Sequence, residues 1–160
     1  YIIADVLKTP TGQMLRIQDY RVTVGHGETP AAKVTLAHEG NVEKAEASGD
    51  GGYDAFMNAL KKAARAFELE IPKLADFKVR IPPGGRTGAL VETQVTWKPG
   101  PGKINPGPGE TFTTLGVDSD QMAAAVIATE KMLNLIAARS GSAPASKAKR
   151  SARKPRKSAR

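Results

Sequence analysis

The sequence contains no cysteine, and aromatic residues make up only 5% of its 160 residues. The absence of cysteine excludes disulfide bonds, thiolate metal sites and a cysteine nucleophile. No run approaches the ~20 apolar residues of a membrane-spanning helix, and no signal peptide is visible. Hydrophobic residues make up 40% of the chain and charged residues 25%, as in ordinary globular proteins. We therefore expect a cytoplasmic protein with one folded domain, which is a piece of a longer chain because it starts at Tyr1.

The net charge of +8 resides at one end of the chain. Residues 141–160 carry eight basic side chains and no acidic one, and the other 16 basic residues balance the 16 acidic residues. This segment also lacks large apolar residues, so we expect a disordered basic tail. Eight positive charges could bind polyanions without sequence preference, but no aromatic residue is present for base stacking. We favour a solvated appendage, with a basic-tailed nucleic-acid-binding protein as the alternative.

The chain repeats itself. Residues 19–24 read DYRVTV, and residues 76–81, 57 positions later, read DFKVRI. The same 57-residue offset aligns Gly27 with Gly84, Ala32 with Ala89 and Val34 with Val91. Further on, Gly49 and Gly116 each precede a helical pattern. A repeat of this length indicates a duplicated module with a seam between its two copies.

Apolar periodicity predicts the same elements in each copy. Three alternating segments are followed by a helix, whose apolar positions recur at intervals of four and three residues. These positions are Phe56, Leu60, Ala63 and Phe67 in the first copy, and Met122, Val126, Thr129, Leu133 and Ile136 in the second. The prediction is an α+β fold of two β-β-β-α units, about 12–70 and 71–140, related by an internal pseudo-twofold axis with helices packed on antiparallel sheets. Residues 1–11 form a lead-in, and the proline and glycine of 98–109 exclude regular structure there.

Several motifs resemble one protein family. They are the cluster GDGGYDA at 49–55, the strand LADFKVRI at 74–81, and the Gly-Val pair at 116–117 before the last helix. Together they resemble the C-terminal regulatory domain of 2-isopropylmalate synthases and citramalate synthases, over about residues 12–138. The resemblance implies a homodimer that binds leucine or isoleucine and thereby mediates feedback inhibition in branched-chain amino acid biosynthesis.

The resemblance also implies that the chemistry lies elsewhere. The parent would be an acetyl-CoA-dependent acyltransferase whose catalytic barrel carries a divalent metal. Such a barrel alone needs ~250 residues, so this chain holds no catalytic domain and we expect no cofactor or metal in it. No nucleophile–base pair is apparent, and Asp118 and Asp120 lack a third ligand for a metal. A structural dimerisation module without effector binding is the alternative.

Ten residues are the candidate effector site by this resemblance. They lie on the first glycine loop and helix start, on the first strand of the second unit, and at the start of the last helix: Gly49, Asp50, Gly51, Tyr53, Asp54, Leu74, Phe77, Ile81, Ser119 and Gln121. Helix N-termini favour a carboxylate, nearby aspartates suit an ammonium group, and strand residues offer an apolar wall. By default, however, Asp118-Ser119-Asp120 is an N-cap cluster.

The chain departs from the family pattern at three positions. Gly52 replaces a proline, Asp120 replaces an asparagine, and Ala125 replaces a serine. The last of these motivates the alternative of a module that dimerises without binding an effector.

Overall fold

The computed structural model describes residues 14–81, 90–100 and 110–140, and also a two-residue strand near the start of the chain. Gly84 and Ala89 of the aligned repeat, residues 101–109 of the predicted irregular segment, most of the lead-in and the basic tail lie outside the described residues. The elements, in chain order, are β1 (Ile2–Ile3), β2 (Arg16–Thr23), β3 (Ala31–His38), β4 (Asn41–Ser48), α1 (Gly52–Arg65), β5 (Lys73–Arg80), β6 (Val91–Lys98), β7 (Phe112–Asp118) and α2 (Gln121–Ser140).

This order confirms the two β-β-β-α units. One sheet has the strand order β2-β3-β4, and the other has the order β1-β7-β6-β5, in which β1 is parallel to β7 and the other pairs are antiparallel. Helix α1 packs on β3 and β4, and α2 packs on β7 and β6. The largest fully buried side chains come from both units: Leu15, Leu36, Phe56, Leu60, Val95, Trp97, Phe112, Met132, Leu133 and Ile136. Among the elements of the described residues, β1 alone has no counterpart in the predicted plan.

The two units carry the same irregularity in their first strands. In β2 the ladder shifts between Ile17 and Asp19, and in β5 it shifts between Leu74 and Asp76. The residue passed over is Gln18 in one strand and Ala75 in the other, again 57 positions apart. A bulge adds one residue to a strand, so it explains why the inward-facing residues before and after it are three positions apart instead of two.

Strand pairing corrects part of the predicted repeat. Tyr20 pairs with Val34 in the first sheet, and Phe77 pairs with Val95 in the second. The counterpart of Val34 is therefore Val95, 61 positions later, and Val91 is not equivalent to it. The 57-residue offset holds within the first strand and ends at the first turn, because the second unit has a longer connection there.

The two glycines that precede the helices are not equivalent either. Ala45 pairs with Val34 and Thr114 with Val95, so the offset in the third strands is 69 residues. At that offset Gly49 corresponds to Asp118. The helices follow the same offset of 69 residues. The amide of Ala55 donates to the backbone carbonyl of Gly51 at 2.9 Å, and the amide of Ala124 donates to the backbone carbonyl of Asp120 at 3.0 Å.

Helix α1 ends before the last position of its predicted apolar face. It stops at Arg65, and Phe67 lies in the following turn, where it still packs against the core. Glu68 has a φ of 56°, and the amide of Leu69 donates to the carbonyl of Ala64 at 3.1 Å. A left-handed residue next to this six-residue hydrogen bond is the usual way in which a helix ends.

A side-chain amide on α2 joins the two units. Asn134 accepts a hydrogen bond from the Leu15 amide at 2.8 Å and donates to the Leu15 carbonyl at 3.0 Å. One turn earlier, the Glu130 carboxylate accepts from the Ile17 amide at 3.0 Å. The start of β2 is thereby fixed to α2, which places the first unit's strand beside the second unit's helix.

Candidate functional site

The N-terminus of α1 has no side-chain cap. Gly51 occupies the N-cap position in an extended conformation, and no side chain of this turn bonds the first helical amides. The Asp54 carboxylate instead accepts a hydrogen bond from the Asp50 amide at 2.8 Å, in the loop before the helix. Unsatisfied amides at a helix start carry a partial positive charge, so this terminus suits an anionic group.

The glycines of this loop have different roles. A methyl group on Gly49 would lie 2.5 Å from the Ala55 amide nitrogen and 2.6 Å from an Asp54 carboxylate oxygen. Gly49 is thus required by the close approach of the chain to the helix. A methyl group on Gly51 would meet no heavy atom within 4 Å. Packing therefore does not explain the glycine at position 51.

The N-terminus of α2 is capped by a carboxylate. Asp120 accepts hydrogen bonds from the amides of Met122 at 3.4 Å and Ala123 at 3.3 Å, while Asp118 accepts from the Asp120 amide at 2.9 Å. Ser119 and Gln121 are exposed beside this turn. The default N-cap interpretation of the Asp-Ser-Asp cluster is therefore confirmed, and the two helix starts differ in charge.

The two helix starts meet over β2. A methyl group on Gly52 would lie 3.2 Å from side-chain carbons of both Val22 and Val24, and 3.5 Å from the terminal methyl of Met122. We call this place the N-terminal junction, made of Gly52, Met122, Val22 and Val24. It has one positive helix end, one helix end capped by an acid, and an apolar wall between them.

The acids at the start of α2 influence the pKa of a tyrosine on β2. Burial raises the pKa of Tyr20 above its usual value, and the negative charges of Asp120 and Asp118 raise it further. These carboxylates are therefore close enough for their charge to be felt on β2. The ring of Tyr20 lies edge-on to Phe56 of α1, with centroids 5.9 Å apart. Tyr20 thus packs on the core of the first unit while the charges at the start of α2 influence its pKa.

Tyr53 faces the interior of the molecule. Its hydroxyl lies 2.7 Å from Oγ1 of Thr129 on α2, and burial raises its pKa strongly. Its ring stacks on Phe56 at 5.8 Å and lies 5.0 Å from the ring of Phe77 on β5. Tyr53 therefore joins the first unit's helix to the second unit's helix and first strand, and its hydroxyl already has a partner.

The structure brings together most of the candidate residues. The loop at 49–54 and the start of α2 meet through Gly52 and Met122, and Phe77 joins them through Tyr53. Leu74 and Ile81 are directed to the same face of β5 as Phe77, but they are 47% and 67% exposed. They contribute an open apolar surface, and Val24 at the edge of the junction is 65% exposed as well.

Sequence reasoning did not identify four residues of this region as site residues. Val22 and Val24 form the apolar wall, Tyr20 faces the acids of α2, and Met122 closes the junction from the second unit. Their alternation and helical spacing assign them to the core, and nothing in the sequence shows which inward residues lie under a helix end. The 57-residue repeat could have identified Tyr20, because it aligns Tyr20 with Phe77, which was predicted as a site residue.

The described residues show neither a metal-binding group of side chains nor a membrane-spanning helix. Within residues 14–81, 90–100 and 110–140, no three acidic or histidine side chains are grouped so as to hold a metal ion. Neither helix of the described region has the length and apolar character needed to cross a bilayer.

Comparison with known proteins gives the family. The model of the LeuA allosteric (dimerisation) domain matches residues 1–137, which is most of the chain. The chain belongs to this family. The LeuA domain family is the expected one, since the duplicated β-β-β-α plan and the motifs at 49–55, 74–81 and 116–117 had indicated it.

A curated relative agrees with this assignment. A protein of Methanosphaerula palustris with the name "Putative (R)-citramalate synthase CimA" is 31% identical over 129 residues. The match covers 81% of this chain but only 24% of that relative. The chain therefore spans about a quarter of the relative's length.

Proposed function

We propose that this LeuA domain binds a branched-chain amino acid, leucine or isoleucine, at the N-terminal junction. The observation that carries the proposal is the meeting of an uncapped helix start with an acid-capped one across an apolar wall. A free amino acid has a carboxylate, an ammonium group and a side chain, and the junction offers one suitable partner for each.

The polarity of the junction supports one orientation of the proposed ligand. Its carboxylate would bind the free amides at the start of α1, near Gly51 and Gly52, where the helix dipole is positive. Its ammonium group would face Asp118, whose charge already acts on Tyr20. The aliphatic side chain would pack on Val22 and Val24.

The proposed consequence of binding is a population shift. The junction joins both units, so a ligand that holds the two helix starts together would favour one arrangement of the units and of the dimer. A ligand changes an equilibrium only by its difference in affinity for the two states. In the parent protein, that shift would reduce the activity of a catalytic barrel and produce feedback inhibition.

The parent activity is proposed from the family and the relative. We propose a cytoplasmic 2-isopropylmalate or citramalate synthase, in which a separate barrel with a divalent metal transfers the acetyl group of acetyl-CoA to a 2-oxo acid. The relative's name favours the citramalate synthase of these two.

Calorimetric titration of the 160-residue chain tests effector binding. L-Leucine and L-isoleucine should release or absorb heat with a saturating isotherm, whereas leucine amide, which lacks the carboxylate, and 4-methylpentanoate, which lacks the ammonium group, should bind at least about tenfold more weakly. Asp118→Asn should weaken leucine binding, and Asp19→Asn on the outer face of β2 is the matched control. A folded chain that binds neither amino acid contradicts the proposal and favours the structural dimerisation module.

A separate titration tests the basic tail. Residues 141–160 would bind a polyanion electrostatically, so deleting them should abolish any binding of duplex DNA at low salt and leave amino-acid binding unchanged. DNA binding that survives the deletion would place the contact on the folded domain.

A further inference from the structure

Two side chains of α2 hold the start of β2, and we call the pair, Glu130 and Asn134, the α2 clamp. The Asn134 side chain both accepts from the Leu15 amide and donates to the Leu15 carbonyl, at 2.8 and 3.0 Å. The Glu130 carboxylate accepts from the Ile17 amide at 3.0 Å. A neighbouring antiparallel strand satisfies the amide and carbonyl of one residue in the same way. The clamp therefore takes the place of a strand at the buried start of β2.

The second unit has no equivalent of this clamp. At the 57-residue offset of the first strands, the counterpart of Leu15 is Pro72, which has no amide hydrogen to donate. At the 69-residue offset of the helices, the counterparts of the clamp residues are Lys61 and Arg65. Both are exposed, and neither side chain contains an acceptor. Strand β5 forms nevertheless, so a β-β-β-α unit does not require a clamp in order to fold.

A single helix connects the clamp with the N-terminal junction. Helix α2 runs from Gln121 to Ser140 and contains neither proline nor glycine. Its second residue, Met122, lies at the junction beside Gly52. At a rise of ~1.5 Å per residue, the clamp residues lie about 12 and 18 Å further along the helix axis. Rigid elements of this kind transmit displacements between distant sites. A movement of the start of α2 therefore reaches the clamp.

The clamp is sensitive to the position of α2 because hydrogen bonds tolerate little displacement. Its three bonds to the β2 backbone are 2.8–3.0 Å long. N–H···O bonds have a narrow range of lengths, so a shift of α2 by about 1 Å away from β2 would break them. The clamp thus has two states, closed and open, that differ by a small movement of one helix.

We propose that Glu130 and Asn134 are positioning residues that couple occupancy of the N-terminal junction to the attachment of residues 14–17. This inference rests on the proposed function: a ligand that holds the two helix starts together also sets the position of α2 against β2, and it favours the closed clamp. Strand β1 likewise lies on the second unit, since Ile2 and Ile3 pair with β7. Both described stretches that lead into the first sheet are therefore held by the second unit.

Coupling is reciprocal, so the affinity of the ligand reports on the clamp. If the ligand favours the closed clamp, removal of the clamp weakens the ligand by the same factor. Glu130→Ala and Asn134→Ala should each raise the dissociation constant of L-leucine or L-isoleucine at least about fivefold, although neither residue contacts the junction. Glu130→Gln keeps an acceptor oxygen for the Ile17 amide, so it should bind the amino acid as the unmodified chain does.

Two measurements on the 160-residue chain test the coupling. Calorimetric titration gives the dissociation constants, at a temperature where circular dichroism shows each variant to be folded. Amide hydrogen exchange, followed by NMR, should show that the amino acid slows exchange of the Leu15 and Ile17 amides, and that Asn134→Ala removes this effect at Leu15. A merely structural role would lower the melting temperature and leave the dissociation constant of the folded chain unchanged.

The equivalent positions on α1 provide matched controls. Lys61→Ala and Arg65→Ala should leave the dissociation constant unchanged, because no clamp exists there. If the unmodified chain binds an amino acid and the folded clamp variants bind it equally well, the inference is overturned and the proposed function stands. Equal weakening by the α1 variants also overturns it. If the unmodified chain binds neither amino acid, the proposed function fails and the inference fails with it. Should Asn134→Ala not fold, Glu130→Ala compared with Glu130→Gln decides.

Discussion

The hydroxyl of Tyr53 on α1 lies 2.7 Å from the hydroxyl oxygen of Thr129 on α2. Thr129 also donates to the carbonyl of Ala125 at 2.7 Å, so Tyr53 is the donor to Thr129 when both bonds form. This hydrogen bond connects the helices of the two units within the core. The pseudo-symmetric duplication therefore contains a contact that is not duplicated, since the counterpart of Tyr53 is Met122 and that of Thr129 is Leu60.

Removing this hydroxyl should weaken the connection between the units. We expect Tyr53→Phe to lower the free energy of unfolding by about 1 kcal/mol, because Thr129 keeps its bond to Ala125 and no buried donor is left unpaired. Urea denaturation measures the change. Thr129→Val should cost more, since it leaves the Tyr53 hydroxyl buried without a partner; a smaller loss for Thr129→Val would contradict this account.

The same hydroxyl predicts how stability depends on pH. Burial raises the pKa of Tyr53 above the value of about 10 that it has in the unfolded chain. The folded chain therefore holds this proton to higher pH than the unfolded chain does, so stability is fully present below pH ~10 and falls as the pH rises above it. Thermal unfolding between pH 8 and pH 11 should show this loss, and Tyr53→Phe should reduce it. Tyr20→Phe is the control and should reduce it less, because Tyr20 is less buried and its shift is smaller.

The plan of the fold was predictable because its signals are local. Alternation and helical spacing gave both β-β-β-α units, and the three-residue interval between Ile17 and Tyr20 reflects a bulge that recurs between Leu74 and Phe77. The equivalence of Gly49 with Gly116 was wrong, because both long connections of the second unit add residues. A fixed offset in sequence cannot follow such insertions, whereas pairing across the ladders can.

The candidate site was predictable only in part. The family motifs pointed to the two helix starts, and the structure shows these starts meeting at Gly52 and Met122, while their role in binding stays a prediction. The valines that line the junction could not be distinguished from core residues, because alternation shows that a side chain points inward and not what it contacts. What such a side chain contacts depends on packing between the two units, which brings together residues ~100 positions apart, such as Val22 and Met122.

Glycine at position 116 should be required by close packing of β7 against α2. A methyl group there would lie 1.9 Å from the Ala124 carbonyl oxygen and 2.8 Å from the Ala128 amide nitrogen, both in the helix backbone. The helix cannot move aside locally, so Gly116→Ala should destabilise the fold by about 3 kcal/mol or prevent folding. Gly51→Ala is the control: its methyl group meets nothing, and the change at an N-cap should cost about 1 kcal/mol or less. Comparable thermal unfolding of the two variants would contradict the packing argument.

Thr93 and Thr114 form a matched pair of buried threonines on neighbouring strands. Both are fully buried, but Thr93 Oγ1 makes no hydrogen bond within the part of the chain that the structure describes. Thr114 Oγ1 accepts from Trp97 Nε1 at 2.9 Å and donates to the Ala128 carbonyl at 2.7 Å. A buried hydroxyl without a partner costs free energy, whereas a paired one satisfies other groups.

Replacement by valine, which keeps the shape of threonine, should therefore have opposite effects at the two positions. Thr93→Val should raise the free energy of unfolding by about 1 kcal/mol, because it removes an unpaired polar group. Thr114→Val should lower it by about 2 kcal/mol, because the indole N–H of Trp97 would then be buried without an acceptor. Chemical denaturation of the two variants side by side measures both changes. If Thr93→Val destabilises the domain as much as Thr114→Val does, the Thr93 hydroxyl has a partner in solution, and the direction of this prediction is wrong.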